Sequence, residues 1–189
     1  MIDDKIQLVR LSDLDPDFII DLRYAQRKNF LNKVIYASDV CYINKHTAKL
    51  LINAKNIFRR DGYRVRIWDA YRPIRAQKKL FELCPNTDYV ARPPDMSKLT
   101  SFKASHMNGM CVDLTLTDKN GNNIKMPTEF DDFSEKSSIL YPFTPREEKN
   151  NALYLKFVME GCGFESYEKE WWHFEDACTP PVPYLDLEF

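Results

Sequence analysis

The sequence predicts a single domain, residues 1–189, of mixed α and β structure in which helices alternate with short strands. Three observations carry that reading. Apolar residues recur at helical spacing between Asn44 and Asp61, two other stretches alternate apolar and polar residues, and charge is spread evenly with no repeat, low-complexity or linker segment. With 189 residues, 44% of them hydrophobic and 29% charged, the chain has the composition of a globular protein and can enclose one core.

The elements follow in order. From Asn44 to Asp61, Leu50, Leu51, Ala54, Ile57 and Phe58 share one helical face, and Gly62 follows where a helix stop is expected. Arg64 to Ala70 alternates, with Val65 and Ile67 on one side and Arg64 and Arg66 on the other, which is a strand pattern. It runs directly into Tyr71-Arg72-Pro73. A second helix is predicted from Pro73 to about Cys84, with proline in its first turn and Pro85 after its end. Pro85 to Ser105 is polar and holds three prolines, the profile of a functional loop and a candidate lid. Met110 to Leu116 alternates again, with Asp113 turned away from the apolar face. Asn120-Gly121 signals a turn, and Thr144-Pro145-Arg146-Glu147 has the form of a capping box opening a helix that ends near Gly161. Phe164 to Glu175 has the pattern of a strand or hairpin, and the tail with Pro180, Pro181 and Pro183 should lie extended over the surface.

Composition excludes several functions. Twenty-seven Lys and Arg against 28 Asp and Glu leave a formal net charge of -1, so there is no basic field to hold nucleic acid or an anionic membrane. No apolar run exceeds four residues, whereas a spanning helix needs roughly twenty, so no membrane partner is expected. The start, MIDDKIQLVR, carries Asp3 and Asp4 and lacks the apolar stretch of a signal peptide, which predicts a cytoplasmic protein. Five cysteines without a CxxC pair are expected to be reduced, packed thiols rather than disulfides or a thiolate metal site. The sequence specifies no oligomeric state.

The chemistry concentrates in two segments. Ser105 to Asp113 offers His106 and Asp113 seven residues apart, with Gly109 between them permitting a tight bend into the strand. Glu170-Trp171-Trp172-His173 adds a histidine with a carboxylate three residues before it. Either segment alone is commonplace: a lone HxxGxxxD is more often an accident than a metal site, and EWWH alone fits a strand end with a hydrogen-bonded core histidine. Together they employ two of the chain's three histidines, and two His with one Asp make a three-donor site with a fourth position open, as catalytic zinc requires. His46, the third, falls in the first turn of the long helix and reads as a solvated residue. On a regular strand Glu170 and His173 would point to opposite faces, so serving one site requires a turn or bulge between them, or a strand that begins after Glu170. Trp171 reads as core filling, while Trp172 suits either core or the wall of a dry site. Arg72, at the end of an apolar strand, is either a surface arginine or a guanidinium fixed to meet a carbonyl oxygen as it becomes negative. Asp131 reads as an ordinary loop acid and Tyr24 as an ordinary strand aromatic.

At these residues the chain resembles the D-alanyl-D-alanine dipeptidases, a family of zinc peptidases. The likeness runs through IDLRYAxxxNF at Ile20 to Phe30, WDAYRP at Trp68 to Pro73, SHxxGxxVDLTL at Ser105 to Leu116, EFD at Glu129 to Asp131 and GFExYxxEWWHF at Gly163 to Phe174. The resemblance implies an α+β fold with a small central antiparallel sheet flanked by helices, shared with D,D-carboxypeptidases and the Hedgehog signalling domain. It implies one Zn2+ per chain on His106, Asp113 and His173, with Glu170 as acid and base, Arg72 as transition-state stabiliser, Asp131 meeting the substrate ammonium, and Tyr24 as a tyrosine that contacts the substrate. The family usually reads SxHxxGxAxD, so Ala104, Asn108 and Cys111 are departures, and Ser105 becomes the candidate for the hydroxyl that contacts the substrate carboxylate.

The activity so implied is hydrolysis of a small D,D-dipeptide, chemistry that serves cell-wall dipeptide recycling and antibiotic resistance alike. Two alternatives stand beside it: a D,D-carboxypeptidase or endopeptidase acting on peptidoglycan stems, and a non-catalytic zinc domain that binds peptides. The short HxD spacing of iron(II) oxygenases is absent.

Overall fold

The computed structural model describes residues 7–87 and 90–189. The expectations for Met1 to Ile6, and for Asp88 and Tyr89 within the 85–105 segment, lie outside the described residues. The regular elements are β1 (Leu8–Arg10), α1 (Leu11–Leu14), β2 (Ile19–Ile20), β3 (Tyr42–Asn44), α2 (Lys45–Arg60), β4 (Arg64–Asp69), α3 (Ile74–Leu83), β5 (Cys111–Thr117), α4 (Arg146–Gly161), β6 (Phe164–Ser166) and β7 (His173–Asp176). None of the described helices is long and apolar enough to cross a membrane.

The fold is α+β. Its main sheet has the order β2-β4-β5-β7-β6, antiparallel throughout except for β2, which joins the edge parallel to β4. The antiparallel sheet that the resemblance implies is thus mixed at one edge. A separate two-stranded ribbon pairs β1 with β3. α2 and α4 cover one face: Ala48, Leu51, Ala54 and Phe58 of α2 and Ala152, Leu155 and Met159 of α4 are fully buried in one cluster with Val65, Ile67, Val112, Leu114 and Leu116. Burying each of the larger of these side chains contributes about 2 kcal/mol against the chain entropy lost on folding.

The period-two pattern of β5 has a consequence. Val112, Leu114 and Leu116 face the helices, so Cys111, Asp113 and Thr115 face the other way, and these three are also buried. Something must therefore cover them. That cover is built from α3, the 85–105 segment and the loop bearing Phe130 and Asp131, with α3 packed through Ala76 and Leu80 against Tyr24, Ile35 and Val90.

A β-bulge at the end of β4 serves this second face. Ile67 pairs with Leu114 and Asp69 with Asp113, so Trp68 is an extra residue against β5. By simple alternation Asp69 would share the face of Ile67. The bulge turns it to the face of Asp113 instead.

The helices fall where the periodicity predicts, but α4 begins without the expected capping box. Pro145 occupies the N-cap with no side-chain hydrogen bond, and Thr144 donates its hydroxyl to the Tyr141 carbonyl. Tyr24 lies in a 3-10 turn, Arg23–Ala25, rather than on a strand. The tail is extended as expected and is tied down: Leu185 N–H donates to Met107 O, Ile74 N–H donates to Leu185 O, and the Tyr71 hydroxyl both donates to Leu187 O and accepts from Leu187 N–H. All five cysteines are free thiols.

Candidate metal centre and active site

Asp113 on β5 and His173 on β7 are directly opposed in the antiparallel ladder. His106 reaches them from the 3-10 turn His106–Asn108, which Gly109 closes in the left-handed region at φ 69°. A side chain at 109 would meet the backbone nitrogen of Asn44 at 2.8 Å and Leu8 Cδ2 at 2.7 Å, so only glycine lets the turn press against β3.

His106 Nε2 lies 3.3 Å from His173 Nδ1 and 3.4 Å from Asp113 Oδ2, and His173 Nδ1 lies 2.9 Å from Asp113 Oδ1. Donors about 2.0–2.1 Å from a shared tetrahedral ion stand roughly 3.3 Å apart, so the donor set fits a divalent metal. The rings are oriented for it. His106 Nδ1 is 2.7 Å from the Ala70 carbonyl and donates to it, which leaves Nε2 with its lone pair aimed at the other two donors. Burial opposes ionisation of Asp113, but the two imidazoles outweigh it and hold the carboxyl well below the usual carboxylate range. Burial likewise disfavours protonation of His173, yet its hydrogen bonds with Asp113, Cys111 and Glu175 hold its pKa well above the ordinary value.

Glu170 reaches the same cavity because it precedes the strand. Glu170 N–H donates to Tyr167 O and His173 N–H donates to Glu170 O, both at 3.1 Å, so a turn separates the two side chains and removes the conflict of parity. Burial, reinforced by the charge of Asp113, raises the Glu170 carboxyl above its ordinary value. Trp171 is core, donating Nε1–H to Thr128 Oγ1 at 2.9 Å. Trp172 is both fully buried and part of the cavity wall.

Arg72 is held from several sides. Its Nε and Nη2 donate to Asp69 Oδ2 at 3.0 and 2.6 Å, its Nη1 donates to Gln77 Oε1 at 2.8 Å, and its guanidinium lies 5.1 Å from the centre of the Tyr24 ring. Asp69 is wholly buried and also accepts from the Tyr36 hydroxyl at 2.6 Å. Burial disfavours the Arg72 charge, but Asp69 more than compensates and the group is held firmly cationic. The sequence reading missed Asp69, Tyr36 and Gln77. The three-residue spacing of Asp69 and Arg72 within WDAYRP could have signalled the first; no pattern marks Tyr36.

Asp131 takes the left-handed region at φ 60° and accepts a hydrogen bond from the Tyr24 hydroxyl at 3.1 Å. Burial and the charge of Asp113 push its carboxyl well above the usual range. Ser105 caps the His106 turn, its hydroxyl accepting from Met107 N–H at 3.2 Å, and it borders the cavity. Asn108, in contrast, is buried away from the cavity and donates to the carbonyls of Lys103 and Val182 at 2.9 Å. Cys111 lies on the cavity side of β5.

The structure therefore gathers every sequence-derived candidate, His106, Asp113, His173, Glu170, Arg72, Asp131, Tyr24 and Ser105, around one cavity of about 490 Å³. Residues of the 85–105 segment, among them Val90, Arg92 and Leu99, form one of its walls. A buried carboxylate and imidazole set, a raised carboxyl and a fixed guanidinium in one chamber can activate a water, move its proton and stabilise an oxyanion.

A family model described as D-ala-D-ala dipeptidase matches residues 4–186. The chain is 34% identical over 186 residues to the D-alanyl-D-alanine dipeptidase of Escherichia coli K12, covering 98% of this chain and 93% of that one. It is 32% identical to the enzyme of that name from Enterococcus faecium, over 88% of this chain and 90% of the other. With the one from Enterococcus faecalis the figures are 29% identity and 89% of each chain.

Proposed function

The chain belongs to the D-ala-D-ala dipeptidase family of peptidases, and on that premise we propose that it hydrolyses D-alanyl-D-alanine to two molecules of D-alanine as a single-domain enzyme holding one zinc ion. The observation that carries the reading is the convergence of His106, Asp113 and His173, with one donor atom from each within 4.8 Å of the others, in the cavity that Glu170 and Arg72 also line. A zinc ion on two imidazoles and a carboxylate supplies a Lewis acid and acidifies a water molecule towards a pKa of about 7.

Each residue then has a task. Glu170 takes the proton of the attacking water and returns it to the departing amine, so the peptide C–N bond breaks as a C–O bond forms and the proton count balances. Arg72 meets the carbonyl oxygen as it turns negative, and its bonds to Asp69 and Gln77 fix it before substrate arrives. Asp131 receives the substrate ammonium, with the Tyr24 hydroxyl holding the carboxylate in place. Ser105, on the cavity wall, is our candidate hydroxyl for the substrate carboxylate. A buried acid that meets a free amine in the cavity measures substrate length, because a longer peptide offers an amide there and cannot supply the ammonium that favours the ionised carboxyl. We place the reaction in the cytoplasm, which cell fractionation checks.

The test is release of D-alanine from D,D-, L,D- and L,L-dialanine by the purified chain with and without a chelator. Metal-dependent, D,D-selective release is expected, with pentapeptide stems poor substrates. Glu170→Ala should lower turnover by about a hundredfold or more while retaining zinc. Near-normal turnover of that variant would refute the assignment.

A further inference from the structure

We propose that the sheet face bearing the metal donors holds a second cation position, formed by Cys111 Sγ, the Glu175 carboxylate and the His173 ring, which takes a thiophilic divalent ion and inhibits the enzyme when filled. The inference rests on reading His173 as a ligand of the first ion, because the two positions share its ring.

The ladder between β5 and β7 pairs Cys111 directly with Glu175, one repeat along from the pair of Asp113 with His173. Alternation puts all four side chains on one face. One donor atom from each of Cys111, His173 and Glu175 lies within 4.8 Å of the others, a second three-donor cluster beside the first. The His173 ring offers a separate nitrogen to each side. Nδ1 faces Asp113 and His106, whereas Nε2 is 3.4 Å from Glu175 Oε1. That separation again matches the roughly 3.3 Å expected between two donors on one tetrahedral ion.

The donor set decides which ion. Thiolate, imidazole and carboxylate select zinc or cadmium and reject magnesium and calcium, which want oxygen alone. Binding expels the thiol proton and the proton on His173 Nε2 to solvent, and three negative or neutral donors then hold the ion. Two cations sharing one ring repel each other, so this position is weaker than the first and fills only when the metal is in excess. Filling it places positive charge beside the ring that serves the first ion and in the cavity that substrate must enter, and turnover falls. Cys111 stands where the resembled family pattern carries alanine, so the position is a property of this chain's own sequence.

The experiment titrates cadmium into the full chain already carrying one equivalent of zinc. A second equivalent should bind with a thiolate-to-metal charge-transfer band in the ultraviolet, and dipeptide hydrolysis should fall in parallel. Cys111→Ala should lose the band and need at least about tenfold more cadmium for the same fractional inhibition. Glu175→Gln, which keeps the thiol, should weaken the second equivalent by about tenfold. Absence of the band in the wild type, its persistence in Cys111→Ala, or equal cadmium sensitivity of the two proteins overturns the proposal. His106→Ala separates the two sites: it should lose the tightly held zinc and keep the band, so failure of the first site is read independently of failure of the second.

Discussion

Asp69 and Arg72 are joined through a single oxygen: both Nε and Nη2 of the guanidinium donate to Asp69 Oδ2, and the carboxylate itself is wholly buried. The pairing exists because the bulge at Trp68 turns Asp69 off the helix-packed face. Asp69 Oδ2 lies 3.8 Å from His106 Nδ1, but that nitrogen donates to the Ala70 carbonyl, and the side-chain donors on Asp69 are Arg72 and Tyr36, so its part is to position Arg72. Asp69→Asn should lower kcat by about ten- to a hundredfold, with a smaller change in KM, because a guanidinium displaced by about an ångström loses the transition-state oxygen more than the ground-state substrate. Steady-state kinetics on D-alanyl-D-alanine check it. An equal effect on both constants would refute a purely positioning role.

Arg72→Lys should cost nearly as much as Arg72→Ala, on the order of a hundredfold in kcat. Lysine is a point charge and cannot span Asp69 and Gln77 at once while presenting an edge to substrate. Recovery to within a few-fold of wild type by lysine would mean that charge alone suffices.

The acid limb of the pH profile should lie above the ordinary glutamate value of 4.5, because burial and the charge of Asp113 raise the Glu170 carboxyl. The base must be ionised to take a proton, so activity is present above the raised pKa and is lost as pH falls through it. Profiles of kcat against pH for the wild type and Glu170→Gln test this; the residual activity of the variant should lack that limb.

Far from the cavity, the ammonium of Lys55 is buried and pairs with Asp15, with Asp17 at 3.9 Å. Burial alone would raise the Asp15 pKa, but the hydrogen bond and charge of Lys55 prevail and lower it. A depressed folded-state pKa stabilises above the unfolded value and loses that contribution as pH falls through the folded one, so the pair should weaken below about pH 4. Asp15→Asn removes the hydrogen-bonded carboxylate, leaves the buried cation only Asp17 at 3.9 Å among the described residues, and should cost about 3 kcal/mol at neutral pH, a fall in Tm of roughly 9 °C. The penalty should shrink at acid pH.

Gly109→Ala should lower stability by about 2 kcal/mol or more, since a Cβ there meets the Asn44 backbone and the left-handed conformation is strained for alanine. The same change moves His106, so metal affinity should fall with it, which denaturant titration and metal competition read separately. An alanine variant that bound metal normally would refute the link between the turn and the centre.

How much of this was legible in the sequence depends on the kind of signal. Helix α2 and strands β4 and β5 announce themselves because one face of each is apolar, and period alone fixes which residues that is. His106, Asp113 and His173 stood out because histidine is scarce and the two segments shared a donor chemistry. Asp131 and Tyr24 carried no local signal: one is a loop acid and the other a turn aromatic, and only the fold brings them to 3.1 Å across 107 residues. The bulge that recruits Asp69 is likewise invisible, because a single extra residue in a strand alters register without altering composition. The capping box at Thr144 had the right residue types and failed because the threonine hydroxyl turned back to Tyr141 instead.

Two of the three candidate ligands are rung partners, Asp113 opposite His173, on neighbouring strands. Most of the precision of the centre is thereby inherited from the ladder's own hydrogen bonds, and only the histidine on the turn needs separate scaffolding. A designer seeking to transplant such a centre could start from any regular antiparallel pair with an aspartate and a histidine face to face, and would spend the effort on a single glycine-closed loop to bring the remaining imidazole over them.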